Sequence, residues 1–191
     1  IKVSAEEARD QSLDGDSTLE DLAELPPLRE GGGRLTSASI SRMHDGAAIA
    51  VAVSEAAWKS LGSPPALRIV AGRACGVSPE KEPLAAYEAS RQLLARLNGS
   101  RPKSLAAVEA SEATAAEPIA LRDGLGIEED ALNPDGGSLG FGAPGAAGSA
   151  VLVARLFSRL VRQRRSDTPS HGLAVHGARG GLAVALLLEL A

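Results

Sequence analysis

Residues 133–150, NPDGGSLGFGAPGAAGSA, decide how the rest of the chain is read: six of these eighteen residues are glycine, and the only large side chains are Leu139 and Phe141. Glycine lacks a Cβ and enters φ > 0 at little cost, so such a run suits a backbone that passes close to a ligand or to another backbone. Residues 151–165, VLVARLFSRLVRQRR, follow directly, and Val151, Leu152, Leu156, Leu160 and Val161 recur near helical spacing. The pattern is a glycine-rich loop opening a helix. Taken alone it fits a surface loop, or close packing of helix on sheet, as well as a ligand loop. A P-loop is excluded, because that motif needs a Lys-Ser/Thr pair after its last glycine and Gly148 is followed by Ser149 and Ala150.

A second glycine cluster closes the chain at residues 171–191, HGLAVHGARGGLAVALLLELA. Together the two clusters resemble the end of a thiolase, in which one glycine-rich loop carries Gly-His-Pro and a late strand-turn-strand carries Cys-x-Gly-Gly-Gly. The resemblance continues backwards. Residues 16–36 (DSTLEDLAELPPLREGGGRLT) are similar to the family's approach segment, and residues 37–62 (SASISRMHDGAAIAVAVSEAAWKSLG) to its Gly-Asn-Ala-Ser … Asn-Asp-Gly-Ala-Ala stretch. Residues 108–116, VEASEATAA, stand where thiolases have Asn-Glu-Ala-Phe. All but roughly the first fifteen residues are covered, in order and at compatible spacings.

The resemblance implies an α/β, thiolase-like fold: a mixed five-stranded sheet with helices on both faces, preceded by an N-terminal remnant of the loop segment and of the first half. In numbers, the expected divisions are 1–34 for the loop remnant, 35–62 for the closing helix-strand piece of the first half, and 66–191 for the C-terminal domain. A thiolase has two similar halves stacked through a shared helical layer, so a surface shaped for the missing half is left needing a cover.

The resemblance also implies a site, and here the chain departs from the pattern. A thiolase uses a nucleophilic Cys from its first half, a His that activates it, a second Cys as acid and base, and an Asn-held water in an oxyanion hole. The His position reads Ala143, in Gly142-Ala143-Pro144, and the Asn position reads Ser111. Aligning the late turn without gaps on Gly181 places the second Cys position at Val175, and where the family has a glycine after that Cys the chain has Arg179. Ala and Val do not titrate, and Ser has neither amide donors nor a suitable pKa. Thr114 replaces the Phe that would wall the acyl pocket. Ser41 matches the family's serine near the coenzyme A pocket, and His44 occupies an Asn position with no Cys beside it in sequence.

Composition bounds the alternatives. At 191 residues, with 44% hydrophobic and 23% charged side chains, the chain has the make-up of an ordinary globular domain. Aromatics are 2%, so the core is built from Ala, Leu and Val packed closely. A net charge of −4 and the lack of a basic stripe interleaved with aromatics argue against nucleic acid as a partner. The single cysteine, Cys75, excludes an internal disulfide framework and reads as a small buried hydrophobe in a reducing compartment. No run of about 18 apolar residues is present to span a membrane. The first ten residues, IKVSAEEARD, do not read as a signal peptide.

Element signals follow the same order. Ser17 with Glu20 reads as a capping box for a short helix at residues 19–25, among the carboxylates Asp14, Asp16, Asp21 and Glu24, and Pro26-Pro27 ends it. The uninterrupted run 49–53, IAVAV, suits a buried central strand, and Ser54 caps a helix after it. Residues 67–76 read as a strand, 82–98 as an amphipathic helix stopped at Asn98-Gly99, 105–109 as a strand, and 110–125 as a helix. Residues 172–175 and 182–188 read as paired closing strands, whose alternation turns His176 away from the face of Val175. Arg155, Arg159, Arg162, Arg164 and Arg165 line the last long helix as a solvated or docking face.

Two functions follow. One is a non-catalytic thiolase-like subunit or scaffold in a larger assembly, without cofactor, its partners being protein subunits that cover the missing half or a second copy through the thiolase interface. The other is the C-terminal half of a split acyl-CoA acyltransferase whose partner chain supplies the nucleophilic Cys, with coenzyme A at Ser41. Either belongs in the mitochondrial matrix or the bacterial cytoplasm rather than outside the cell.

Overall fold

The computed structural model describes residues 17–97, 104–163 and 169–191. In chain order its helices are α1 (Leu19–Ala23), α2 (Glu55–Ser60), α3 (Ala85–Arg96), α4 (Ala116–Leu125), α5 (Ser138–Phe141) and α6 (Gly148–Phe157). A π-helical turn, Ser158–Arg162, prolongs α6. The strands are β1 (Leu67–Gly76), β2 (Ala107–Ala110), β3 (His171–Ala178) and β4 (Leu182–Leu190). They form one mixed sheet in the order β1-β4-β3-β2, antiparallel except for the parallel pair β2 and β3. The expected α/β architecture is present, with four strands among the described residues rather than five.

Small side chains let helices sit close on both sheet faces. On one face α3 and α4 bury Ala85, Ala86, Ala89, Leu93 and Leu121 against Val108, Leu173, Val175, Ala185 and Leu187. On the other, Leu152 and Leu156 of α6 pack on Ala107, Ala174 and Leu188. Close approach is enforced at Gly172, where a Cβ would come within 2.8 Å of a Leu156 methyl and 3.3 Å of the Ala107 carbonyl. The alternation of β3 is therefore strict: Leu173 and Val175 face α3, and Gly172 and Ala174 face α6.

Several expectations about elements are corrected. The run 49–53 forms no strand: it carries no ladder, and Ile49 and Val51 are 90% and 82% exposed. Strand propensity needs a neighbour to pair with, and no described strand lies beside it. Helix α1 is capped by Thr18, not Ser17, in a capping box with Asp21: the Asp21 N–H donates to the Thr18 hydroxyl at 3.2 Å, and the Thr18 N–H donates to the Asp21 carboxylate at 2.8 Å. Pro83 confines residues 79–84 to a 3-10 turn, so the α-helix starts at Ala85. Helix α4 starts at Ala116 rather than 110, because residues 111–115 are drawn out to meet the N-terminal segment through the Ile40–Thr114 bridge. Asp14, Asp16, Asn98-Gly99, Arg164 and Arg165 lie outside the described residues.

The contrast between core and uncovered run predicts opposite mutational costs. Leu173→Ala, at a fully buried centre of the sheet, should lower stability by about 2–5 kcal/mol. Val51→Ala should change the isolated chain by no more than about 0.5 kcal/mol. Urea denaturation of both variants checks the pair, and a large loss for Val51→Ala would mean that this run is packed.

Candidate functional site

The glycine-rich loop is held to the end of β2 by two side chains. Asn133, buried and at φ 44°, accepts from the Ala110 N–H at 2.7 Å and donates back to the Ala110 carbonyl at 3.1 Å. Its amide also donates to the Glu112 carboxylate at 2.5 Å, and the Leu139 N–H donates to the other oxygen of that carboxylate at 2.9 Å. A Cβ on Gly137 would collide with the Glu112 carboxylate, so a residue without one is required there. These contacts fix where the loop runs.

Between this loop, the N-terminus of α6 and the end of β3 lies a cavity of about 230 Å³. Phe141, Pro144, Val151 and Leu152 give it a largely apolar wall. Ala143 and Ser111 both line it. Ala143 is clamped by the segment before it: its N–H donates to the Arg42 carbonyl at 2.7 Å and its carbonyl accepts from His44 at 3.0 Å. Ser111 accepts from the Gly177 N–H at 2.8 Å, so its hydroxyl braces the closing turn.

Val175 does not reach the cavity. Its side chain is fully buried in the α3-facing core, which corrects its assignment as the second Cys position. In a Cys-x-Gly-Gly-Gly turn ending at Gly181 the Cys stands four residues back, at Gly177, and Gly177 does line the cavity. A Cβ there would meet only the Glu117 carboxylate and the Ser111 hydroxyl, both at 3.6 Å, which is ordinary contact. The site thus holds Ala143, Ser111 and Gly177, three small residues with no titrating side chain among them.

Other candidates sort clearly. Ser41 does not project free: its hydroxyl donates to the Glu112 carbonyl at 2.6 Å and lies 3.1 Å from the Ser138 hydroxyl. His44 packs its ring against Gly142, where a Cβ would come within 2.5 Å of the imidazole. Cys75 is half-buried in β1, with burial pushing its thiol pKa up, which suits an inert side chain. Among the described residues no group of three or more His, Cys, Asp or Glu is placed to hold a metal ion.

Three polar side chains in the cavity, those of Glu109, Arg155 and His176, are not legible as site residues in the sequence. Glu109, buried on β2, pairs with Arg155 of α6 at 2.6 Å, and Arg155 also lies 5.0 Å over the Phe141 ring. Burial pushes the Glu109 carboxyl above its ordinary range, and Arg155 pulls it back. His176 turns to the α6 face, as alternation requires, and a Cβ on Gly148 would stand 3.1 Å from its ring. Its Nδ1 is buried without a hydrogen-bond partner, and burial lowers its pKa. Arg179 lines the cavity from the exposed turn.

The model of the thiolase C-terminal domain family matches residues 63–190. The chain belongs to the thiolase family. Acetyl-CoA acetyltransferase of Shinella zoogloeoides is 35% identical over 181 residues, which are 94% of this chain and 45% of that protein. The Pseudomonas aeruginosa acetyl-CoA acetyltransferase is 35% identical over 173 residues, 90% of this chain and 42% of its own length. Among solved structures, acetyl-CoA acetyltransferase of Bacillus anthracis superposes with a TM-score of 0.85 at 30% identity, covering 96% of this chain and 45% of that one. Human mitochondrial 3-ketoacyl-CoA thiolase gives 0.79 at 26% identity, covering 95% and 45%. This thiolase chain therefore spans less than half the length of the relatives it matches. No helix among its described residues is long and apolar enough to cross a membrane.

His176 carries a pH signature. A histidine whose folded pKa lies below its ordinary 6.5 binds fewer protons folded than unfolded, so stability is full above 6.5 and falls as pH drops through the folded value. The buried Glu109 and Glu117 carboxyls, both raised, act in the opposite sense at lower pH. The comparison that isolates the histidine is wild type against His176→Leu. Thermal unfolding from pH 7.5 down to 5 should show the wild type losing stability relative to the variant, and parallel curves would contradict a buried neutral imidazole.

Proposed function

We propose that this thiolase domain is non-catalytic and serves as a subunit or scaffold element in a larger protein assembly. The observation that supports this is the set Ala143, Ser111 and Gly177 at the cavity. Thiolase chemistry requires a base to form the attacking thiolate and a separate acid at the substrate α-carbon. Ala143 leaves the first role empty and Gly177 the second. Removing one such group typically costs roughly 10²–10⁴-fold in rate, and here more than one is replaced.

The assembly surface is the exposed stretch containing Ile49, Val51 and Val53. Protein carrying the first half of the thiolase fold, within a longer polypeptide or on a partner subunit, buries it, and a homo- or hetero-dimer through the thiolase interface is the form we expect. The domain works without a bound cofactor: the Ser41 hydroxyl, the group expected to meet coenzyme A, is already spent on Glu112. Matrix or bacterial cytoplasm suits it, in keeping with bacterial and human mitochondrial relatives.

The second reading, the C-terminal half of an acyl-CoA acyltransferase completed by a partner's Cys, is favoured by one fact: 94% of this chain aligns with the Shinella zoogloeoides acetyl-CoA acetyltransferase at 35% identity. A complementation assay decides between them. The chain is combined with the first half of that relative, and acetoacetyl-CoA thiolysis is followed. The unsubstituted pair should be inactive, whereas Ala143→His, Gly177→Cys and Ser111→Asn together should bring activity above background. The same substitutions without the first half should give none, for want of the nucleophile. Turnover by the unsubstituted pair would overturn the non-catalytic reading.

A further inference from the structure

We infer that the cavity binds a short aliphatic carboxylate, gripped by His176 near the end of β3 and Arg179 of the turn that follows it. The inference goes beyond the non-catalytic role and is tested by binding rather than turnover, so either can fail without the other.

Charge comes first. Among the described residues the Arg179 guanidinium has no ion pair and no hydrogen bond, although it lines the cavity. Every other charge around the cavity is already answered. Glu109 pairs with Arg155, and the Glu112 carboxylate accepts from Asn133 and from the Leu139 N–H. The free cation therefore sets the sign of the occupant, which is an anion.

Hydrogen bonding narrows the head group. The His176 ring makes no hydrogen bond to any described residue, and its Nδ1 edge is shut against Gly148. The residue itself lines the cavity. A neutral imidazole N–H near the end of β3 and a guanidinium three residues on, in the turn, suit the two oxygens of a carboxylate. Between them stands Gly177, which lines the cavity and whose N–H is held by the Ser111 hydroxyl at 2.8 Å.

Shape and polarity fix the remainder. Phe141, Pro144, Val151 and Leu152 offer no hydrogen bond, so the body of the ligand is hydrocarbon. The volume, about 230 Å³, lies below the roughly 300–1,000 Å³ of pockets that take drug-sized molecules, so the chain is short.

The test is an NMR titration of the 191-residue chain with sodium pentanoate, following backbone amides. Saturable shifts at Gly148, Gly177 and Arg179 are expected, and 1-pentanol at equal concentration should not reproduce them. Arg179→Gln, at an exposed position that leaves the fold intact, should weaken binding by about tenfold or more, the usual cost of removing a charged hydrogen-bond partner. Gly177→Leu, which fills the cavity, should abolish it. No saturable shift, equal binding of the alcohol, or an unchanged Kd in Arg179→Gln would each overturn the inference.

Discussion

The pairing of the Asn133 side chain with the backbone of Ala110 holds the site together. Strand β2 is an edge strand: β3 uses one side of it, and the other would be left with unpaired N–H and C=O groups. The loop fills that edge. The Asn133 N–H donates to the Val108 carbonyl at 2.8 Å, and its side-chain amide then imitates the next rung of a ladder on Ala110. An amide is the side chain that can both donate and accept in this way. From this anchor Asn133 hands a hydrogen bond on to Glu112, and Glu112 orders the loop through Leu139. Edge protection and site construction are one device.

What was legible in the sequence followed from periodicity and from motif order. Strand β1 and the closing pair β3 and β4 stand out as apolar runs beside glycine turns, and the loop before α6 was marked by composition alone. Positions 49–53 misled, because an uninterrupted β-branched run reports a tendency to be buried on two faces and cannot say that the covering faces are absent. The cap was missed by one residue: Ser17 and Thr18 are both good caps, and only the geometry that brings Asp21 back to Thr18 separates them.

The site was half legible for a similar reason. Ala143 and Ser111 sit in local motifs whose neighbours pin the register. The late turn was placed two residues early, and because the period of a strand is two, Val175 and Gly177 share a face and the error looked harmless. Depth separates them: Val175 lies over α3 in the core, whereas Gly177 stands at the strand end against Ser111. The Glu109–Arg155 pair and the partnerless His176 could not be read from sequence at all. Burial and pairing across 46 residues of chain create their chemistry, and no local pattern records either.

The N-terminal segment and the cavity belong to one mechanical system. Met43 bridges in parallel with Ala143, and His44 closes over Gly142, so the segment that leads into the exposed run 49–53 also forms a backing for the site loop. A protein that covered Ile49 and Val51 would gain apolar burial worth roughly 25 cal/mol per Å², and it would take hold of a segment whose other end is pinned to Ala143. A protein docked there would therefore bear directly on the loop that walls the cavity, through the pairing of Arg42 and His44 with Ala143. On the non-catalytic reading proposed above, the loop no longer has to hold a nucleophile's base within bonding distance. On that reading the Asn133 anchor, which fixes the site loop to the end of β2, is the group through which a covering protein would act on the cavity.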